Sequence, residues 1–213
     1  MKNEKTIEVK PITINTATIT IEGDSDLILN KMDAPTVRLL TDIRKDKSKT
    51  MAKRNQWEEI MTKIHWKDPI DLKPEEYTEK ALEDALKNNA PCLSAFGLKK
   101  SFGQAVVRND IDKYATKFDA CMNIIAANNL VPIRFTEHYV DEKLMSPKRG
   151  APVLSRQNRF CGWSADITVQ YVDNGAFSLE QIIQVINLSG FSMGIGSGRT
   201  SGYGRYHVTG VKA

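Results

Sequence analysis

Between Gly194 and Gly204 the stretch GIGSGRTSGYG holds Gly194, Gly196, Gly198, Gly202 and Gly204, with Arg199 among them and Arg205 directly after. Glycine loses the most backbone freedom on folding, so such a run is costly to order. It becomes useful where amides must approach something closely or where positive φ recurs. Unhindered N–H groups beside a guanidinium suit an oxyanion, and Arg199 can add a bidentate contact to a phosphate. These glycines follow a helical pattern and open a strand, the reverse of a dinucleotide-binding turn, which argues against a nicotinamide or ATP site. The plainer alternative is a loop that only packs on a neighbouring helix, and the two readings can hold together.

Other chemistry is sparse. His65, His138 and His207 are scattered, and none has a Cys or His partner at ligand spacing, so neither a metal nor another cofactor is expected. His207 is the one candidate acid or base, facing the same side of its strand as Arg205 and Thr209, though a lone strand histidine is more often just half-exposed. Asp24, Asp26 and Asp33 follow the first strand and read as turn formers around GDSDL. Cys92, Cys121 and Cys161 lack the close pairing of a redox or metal site and read as reduced thiols. In RFCGW, Arg159 sits with Phe160 and Trp163, a candidate base-stacking platform against the usual fate of aromatics as core.

Charge is segregated although the net balance is only +4. Lys143 to Ala165 carries Lys143, Lys148, Arg149, Arg156 and Arg159 and no acid, and no acid follows Glu180. A third basic cluster is RKDKSKTMAKR, residues 44–54, while acids gather between Asp71 and Asp84. Segregation of this kind can build one positive face, the footprint of polyanion binding, where the bland reading is a solvated surface. No apolar run is long enough to span a bilayer, and MKNEKTIEVK lacks the apolar centre of a secretory signal, so a cytoplasmic protein, bacterial or in a phage-infected host cell, is expected.

The elements that would position these groups can be read from periodicity. SADITVQYV alternates, burying Ala165, Ile167, Val169 and Tyr171. ITINTATITIEG alternates too, with a change of register near Asn15 that suggests a bulge or short turn. GRYHVTGV sets Tyr206 and Val208 against Arg205, His207 and Thr209. LVPIRFTEHYV is a less regular strand, with Pro132 favouring an edge. SLEQIIQVINLSG is a helix opened by a Ser178/Gln181 capping box. SAFGLKKSFGQAVVR is a second, capped by Ser94, with Gly97 and Gly103 implying close packing. The basic stretches TVRLLTDIRK and AKRNQWEEIMTKIHW, the acidic KPEEYTEKALEDALKNN, and RNDIDKYATKFDACMNIIAANN read as mostly helical insertions. EKLMSPKRGAPVLSRQNRFCGW reads as an exposed loop or hairpin. Without insertions the order is strand, helix, strand, strand, helix, strand: an α+β, ferredoxin-like and RRM-like βαββαβ antiparallel sheet whose second face is free to hold a single strand. The expected organisation is one domain over 1–213, with a core of about 7–30, 92–108, 129–142 and 163–213. Insertions then fall at about 31–91, 109–128 and 143–162.

Cys92 to Arg108, a helix with a small-residue turn and basic residues near its start, and Gly194 to Val208, a glycine-rich loop between helix and last strand, together resemble the RAMP superfamily of CRISPR-associated proteins. The ending is also similar to small phage proteins that close on GIG-x-x-R…G-x-GR, so a phage-encoded relative is one form this resemblance takes. The resemblance implies an RNA-binding ferredoxin-like fold working as a homo-oligomer or in a multi-subunit assembly. The candidate contacts to RNA or single-stranded DNA are Lys99, Lys100, Lys148, Arg149, Arg156, Arg159, Trp163, Gly194, Gly196, Gly198, Arg199, Gly202, Tyr203, Gly204 and Arg205. Two rivals stand beside backbone binding: a metal-independent endoribonuclease using His207 or another general acid/base residue, and a phage protein that interferes with a RAMP-type assembly.

Overall fold

The computed structural model describes residues 12–32, 55–145, 153–172 and 175–213, together with Val37 and Thr41. The basic cluster at 44–54, Asp33, Lys148 and Arg149 lie outside the described residues, and TVRLLTDIRK is described only at Val37 and Thr41.

Strand β1 (Ile14–Gly23) buries Ala17, Ile19 and Ile21 and pairs antiparallel with β9 (Ser164–Val172) and β10 (Tyr206–Lys212). The change of register near Asn15 is not a bulge. β1 runs through Asn15 unbroken against β9, so Ile14 simply points to the opposite face, where it is 59 % exposed. The irregularity lies between Thr20 and Ile21, opposite β10. On its other edge β9 pairs with β5 (Met122–Ile125) and then, at Ile133 and Arg134, with β6 (Leu130–Arg134). The order β10-β1-β9-β5/β6 is the 4-1-3-2 antiparallel arrangement of a ferredoxin-like sheet. Beyond it the sheet continues through β4 (Pro91–Ser94) and β3 (His65–Trp66).

The expected strand over 129–142 divides in two, and part of its place is taken by β5, from within the expected insertion 109–128. After Phe135 the chain turns, with the Thr136 amide donating to Cys161 O at 3.0 Å. β7 (Glu137–Met145) then joins a second sheet with β8 (Val153–Cys161) and β2 (Leu27–Leu29). The basic segment expected as an exposed loop or hairpin therefore supplies the end of β7 and all of β8, the paired arms of a hairpin. Its pattern was unreadable because Asn158 is fully buried inside it, its amide donating to Ile60 O at 2.8 Å.

Helices α1 (Gln56–Thr62) and α2 (Glu79–Asn88) lie where the insertion was expected to be helical, and a short α4 (Thr116–Cys121) precedes β5. Helix α3 (Ala95–Arg108) starts on Ser94, whose hydroxyl accepts the Gly97 amide, and α5 (Leu179–Ser192) starts on the predicted Ser178/Gln181 capping box. Gly103 meets α4, since a Cβ there would stand 3.1 Å from Ala115 Cβ. α3 and α5 touch through the buried Ser101 and Ser189 hydroxyls, 2.9 Å apart. Leu98, Phe102, Ile182 and Ile186 seal this layer with Ile19, Ile167 and Val169 from the sheet; each such side chain contributes about 1.5–3 kcal/mol.

His138 on β7 is tied to Asn158 at 3.1 Å and rests on the Phe160 ring. Burial holds its pKa below the usual 6.5, against the opposing pull of Asn158. The unfolded chain therefore binds a proton that the fold refuses. Stability should be complete above pH 6.5 and fall as pH drops below it, by at most about 1.4 kcal/mol per pH unit. Thermal melts between pH 7.5 and 5 should show this slope, and His138→Gln should reduce it, leaving the part that His65, also held below its usual pKa, contributes.

Candidate nucleic-acid interface

The glycine-rich segment is built from its ends inward. The Met193 and Gly194 amides both donate to Ser189 O at 2.9 Å, closing α5. The Ile195 amide donates to Gly204 O at 2.9 Å, the Ser197 amide to Ile28 O and the Gly204 amide to Asp26 O, both at 2.8 Å. The Ser25 hydroxyl adds a bond to Gly202 O at 2.8 Å. The loop is thus stitched to the turn after β1 that GDSDL was expected to form. Gly204 shows why glycine is needed: its φ is +69°, and a Cβ would stand 1.8 Å from Ile195 O. Gly194 and Gly204 are buried, so the packing reading holds for both ends of the run.

Its tip behaves differently. Gly196, Gly198, Arg199 and Thr200 are exposed, and their four amides make no hydrogen bond among the described residues. Beside them a cleft of about 330 Å³ opens between the tip, the N-terminal turn of α3 at Ser94 and Gly97, and the residues after β2. Lys31, Lys100 and Arg199 line it, and no carboxylate does among the described residues. None of the three enters an ion pair with another described residue. Gly196 and Arg199 from the loop tip, the first turn of α3 and the three cations border one concavity, an arrangement suited to a bound anion. His65 also lines it; burial first, then Lys31, lowers its pKa and keeps the ring neutral at pH 7. Burial pushes the Cys92 thiol up to about 11, so it is a protonated wall and not a nucleophile.

Several expected contacts fall elsewhere. Lys99 points away from Lys100, as helical neighbours must, and donates to Asn123 Oδ1 at 2.8 Å. Arg156 is held by Glu142 at 2.6 Å and by Glu59 at 3.8 Å. Arg159 pairs with Asp26 at 2.8 Å and lies over the Tyr139 and Tyr203 rings, at 5.2 and 4.8 Å. Lys143 stands 5.1 Å from the Tyr203 ring, so that ring is occupied too. Arg205 gives its guanidinium to Phe191 O and Arg199 O, bracing the end of α5. Trp163 is no stacking platform. It is 1 % exposed, its indole N–H donates to Ser25 O at 2.8 Å, and its ring meets Tyr206 edge-on. Phe160 is likewise fully buried.

The free face of the sheet also departs from expectation. Thr16, Thr18, Thr20 and Glu22 of β1 oppose Gln170, Thr168, Asp166 and Ser164 of β9, and Arg134 pairs with Asp166 at 2.6 Å. This is a small polar surface without the aromatic platforms that stack bases in RNA-recognition modules. On the edge strand, Nδ1 of His207 lies 2.6 Å from Asp24 Oδ1, beside Asn187 and Phe191. Lys31, His65 and Asp24 were not singled out as site residues. Only folding brings them to the loop or to His207, and no spacing announces it.

The 4-1-3-2 sheet, its two helices and the glycine-rich loop before the last strand define an α+β ferredoxin-like fold. No protein-family model matches the sequence, and no curated protein matches it. Among solved structures, the chain is similar to one in the cryo-EM structure of the Type III-B Cmr-beta bound to cognate target RNA. The TM-score is 0.50 at 9 % identity, over 93 % of this chain and 60 % of that one. The present chain thus spans about three fifths of that neighbour's length. A crystal structure of Cmr6 from Pyrococcus furiosus also aligns, with a TM-score of 0.41 at 10 % identity, over 92 % of this chain and 99 % of the other. No helix among the described residues is long and apolar enough to cross a membrane, and no cluster of three metal-ligating side chains occurs among them.

Proposed function

We propose that this chain is one RAMP-like domain that binds single-stranded nucleic acid through its phosphate backbone, in several copies along a strand or within a multi-subunit assembly. The observation that carries the reading is the cleft free of described carboxylates, where Lys31, Lys100 and Arg199 face the exposed loop tip and the α3 N-terminus. That a fold neighbour was solved with target RNA agrees with it. Contacts of this kind act on charge and not on base identity, so binding should be nearly independent of sequence and weaken steeply with salt. Size-exclusion chromatography with absorbance at 260 and 280 nm tests both halves. Co-eluting nucleic acid and a particle larger than the monomer are expected; a clean monomer that also ignores a labelled oligonucleotide at low salt sinks the proposal.

One contact favours a second reading. Asp24 accepting from Nδ1–H of His207 leaves Nε2 available as a base. It could take the proton of a ribose 2′-hydroxyl as that oxygen attacks the adjacent phosphorus, forming a 2′,3′-cyclic phosphate and breaking the bond to the 5′-oxygen, which water then protonates. On this reading, labelled RNA shortens in chelator, the DNA of the same sequence does not, and His207→Gln abolishes the cleavage. RNA that stays full length removes the enzyme and leaves the binding protein.

A further inference from the structure

We infer that a single nucleobase of the bound strand is held in a second cavity, contiguous with the phosphate cleft, on the outer side of β3; this rests on the binding reading above. The cavity has a volume of about 520 Å³ and shares Lys31 and His65 with the cleft. That size falls within the range of small-molecule sites and is ample for one base. Met61, Ile64, Trp66, Ile70 and Tyr77 give it apolar walls, and Thr62 and Lys67 line it as well. Trp66 has already given its indole N–H to Met61 O at 2.9 Å, so it offers the cavity only hydrocarbon surface.

The rim supplies the polar complement. Asn128 is exposed at the mouth in the left-handed conformation, φ +52°, and its side-chain amide makes no hydrogen bond among the described residues. One amide with both a donor and an acceptor fits the hydrogen-bonding edge of a base. No carboxylate lines this cavity among the described residues. An apolar peptide or an acyl chain would satisfy the walls, but it would leave Lys31, Lys100 and Arg199 without a counter-charge. A nucleotide satisfies both compartments, phosphate in the first and base in the second. The sheet face, with its threonines, offers the base no rival platform.

The test compares a single-stranded octanucleotide with an abasic ribose-phosphate chain of the same length, by fluorescence anisotropy at low salt. The intact octamer should bind about tenfold more tightly, the scale of one base against an apolar wall. Ile70→Trp, which fills the cavity, should remove that advantage and leave affinity for the abasic chain unchanged. Equal binding of the two ligands by the native protein overturns the inference and leaves the phosphate cleft standing. Failure of both to bind overturns the reading beneath it instead. If Ile70→Trp does not fold, crosslinking of a 4-thiouridine octamer to the native protein decides. Adducts within 61–77 or at Asn128 support the base site, and adducts confined to the sheet face or to the glycine-rich loop overturn it.

Discussion

Replacing Lys31, Lys100 and Arg199 together by alanine lowers affinity for a single-stranded oligonucleotide at least about a hundredfold near 50 mM salt, and flattens its salt dependence. Each neutralised phosphate on a single strand contributes about 0.7 to the slope of log affinity against log salt, so three lost contacts remove about two units. The loss should be similar for every sequence, because these groups touch phosphate and not base edges. Arg205→Ala is the informative control. Its guanidinium donates to Phe191 O and Arg199 O, so its loss should lower thermal stability and leave the salt slope unchanged. Arg156 and Arg159, held by Glu142 and Asp26, should behave as Arg205 does. A triple variant with the wild-type slope would sink the cleft as the binding site.

Gly190→Ala should destabilise the protein by about 4 kcal/mol or more, although alanine is the better helix former by about 1 kcal/mol. Gly190 sits inside α5 at the point where β10 crosses it. A Cβ there would stand 1.8 Å from Tyr206 O and 2.7 Å from the Tyr206 ring. The obstructing atom is strand backbone and cannot rotate away, so α5 must lift from the sheet and open the layer sealed by Ile182 and Ile186. For a chain of this size the melting temperature should fall by about 10 °C or more. An unchanged or raised melting temperature would show that the helix and strand stand further apart than described.

Much of the frame was legible because it is governed by local rules. β1, β9 and β10 announce themselves by alternation, and α3 and α5 by their Ser94 and Ser178 caps. Reduced to those strands and helices, the order already implied a ferredoxin-like sheet. The second strand is present as β6 but shorter than its pattern suggests and shares its place with β5, because β5 is only four residues long and Phe135–Thr136 breaks β6 from β7, lengths at which periodicity carries little information. Trp163 was misread because a tryptophan beside an arginine looks the same in sequence whether its ring meets a ligand or, as here, Tyr206 and a backbone carbonyl.

By itself the sequence determined that a costly glycine run would stand between a capped helix and a closing strand, with arginines inside and after it. Periodicity, caps and positive-φ positions act over a few residues and leave their mark there. Only the tertiary structure decided which cations stay unpaired among the described residues. Arg156, Arg159 and Arg205 are drawn to partners up to 133 positions away, while Lys31, Lys100 and Arg199 converge on one cleft. Charge pairing follows distance in space, and distance in space is settled by the sheet.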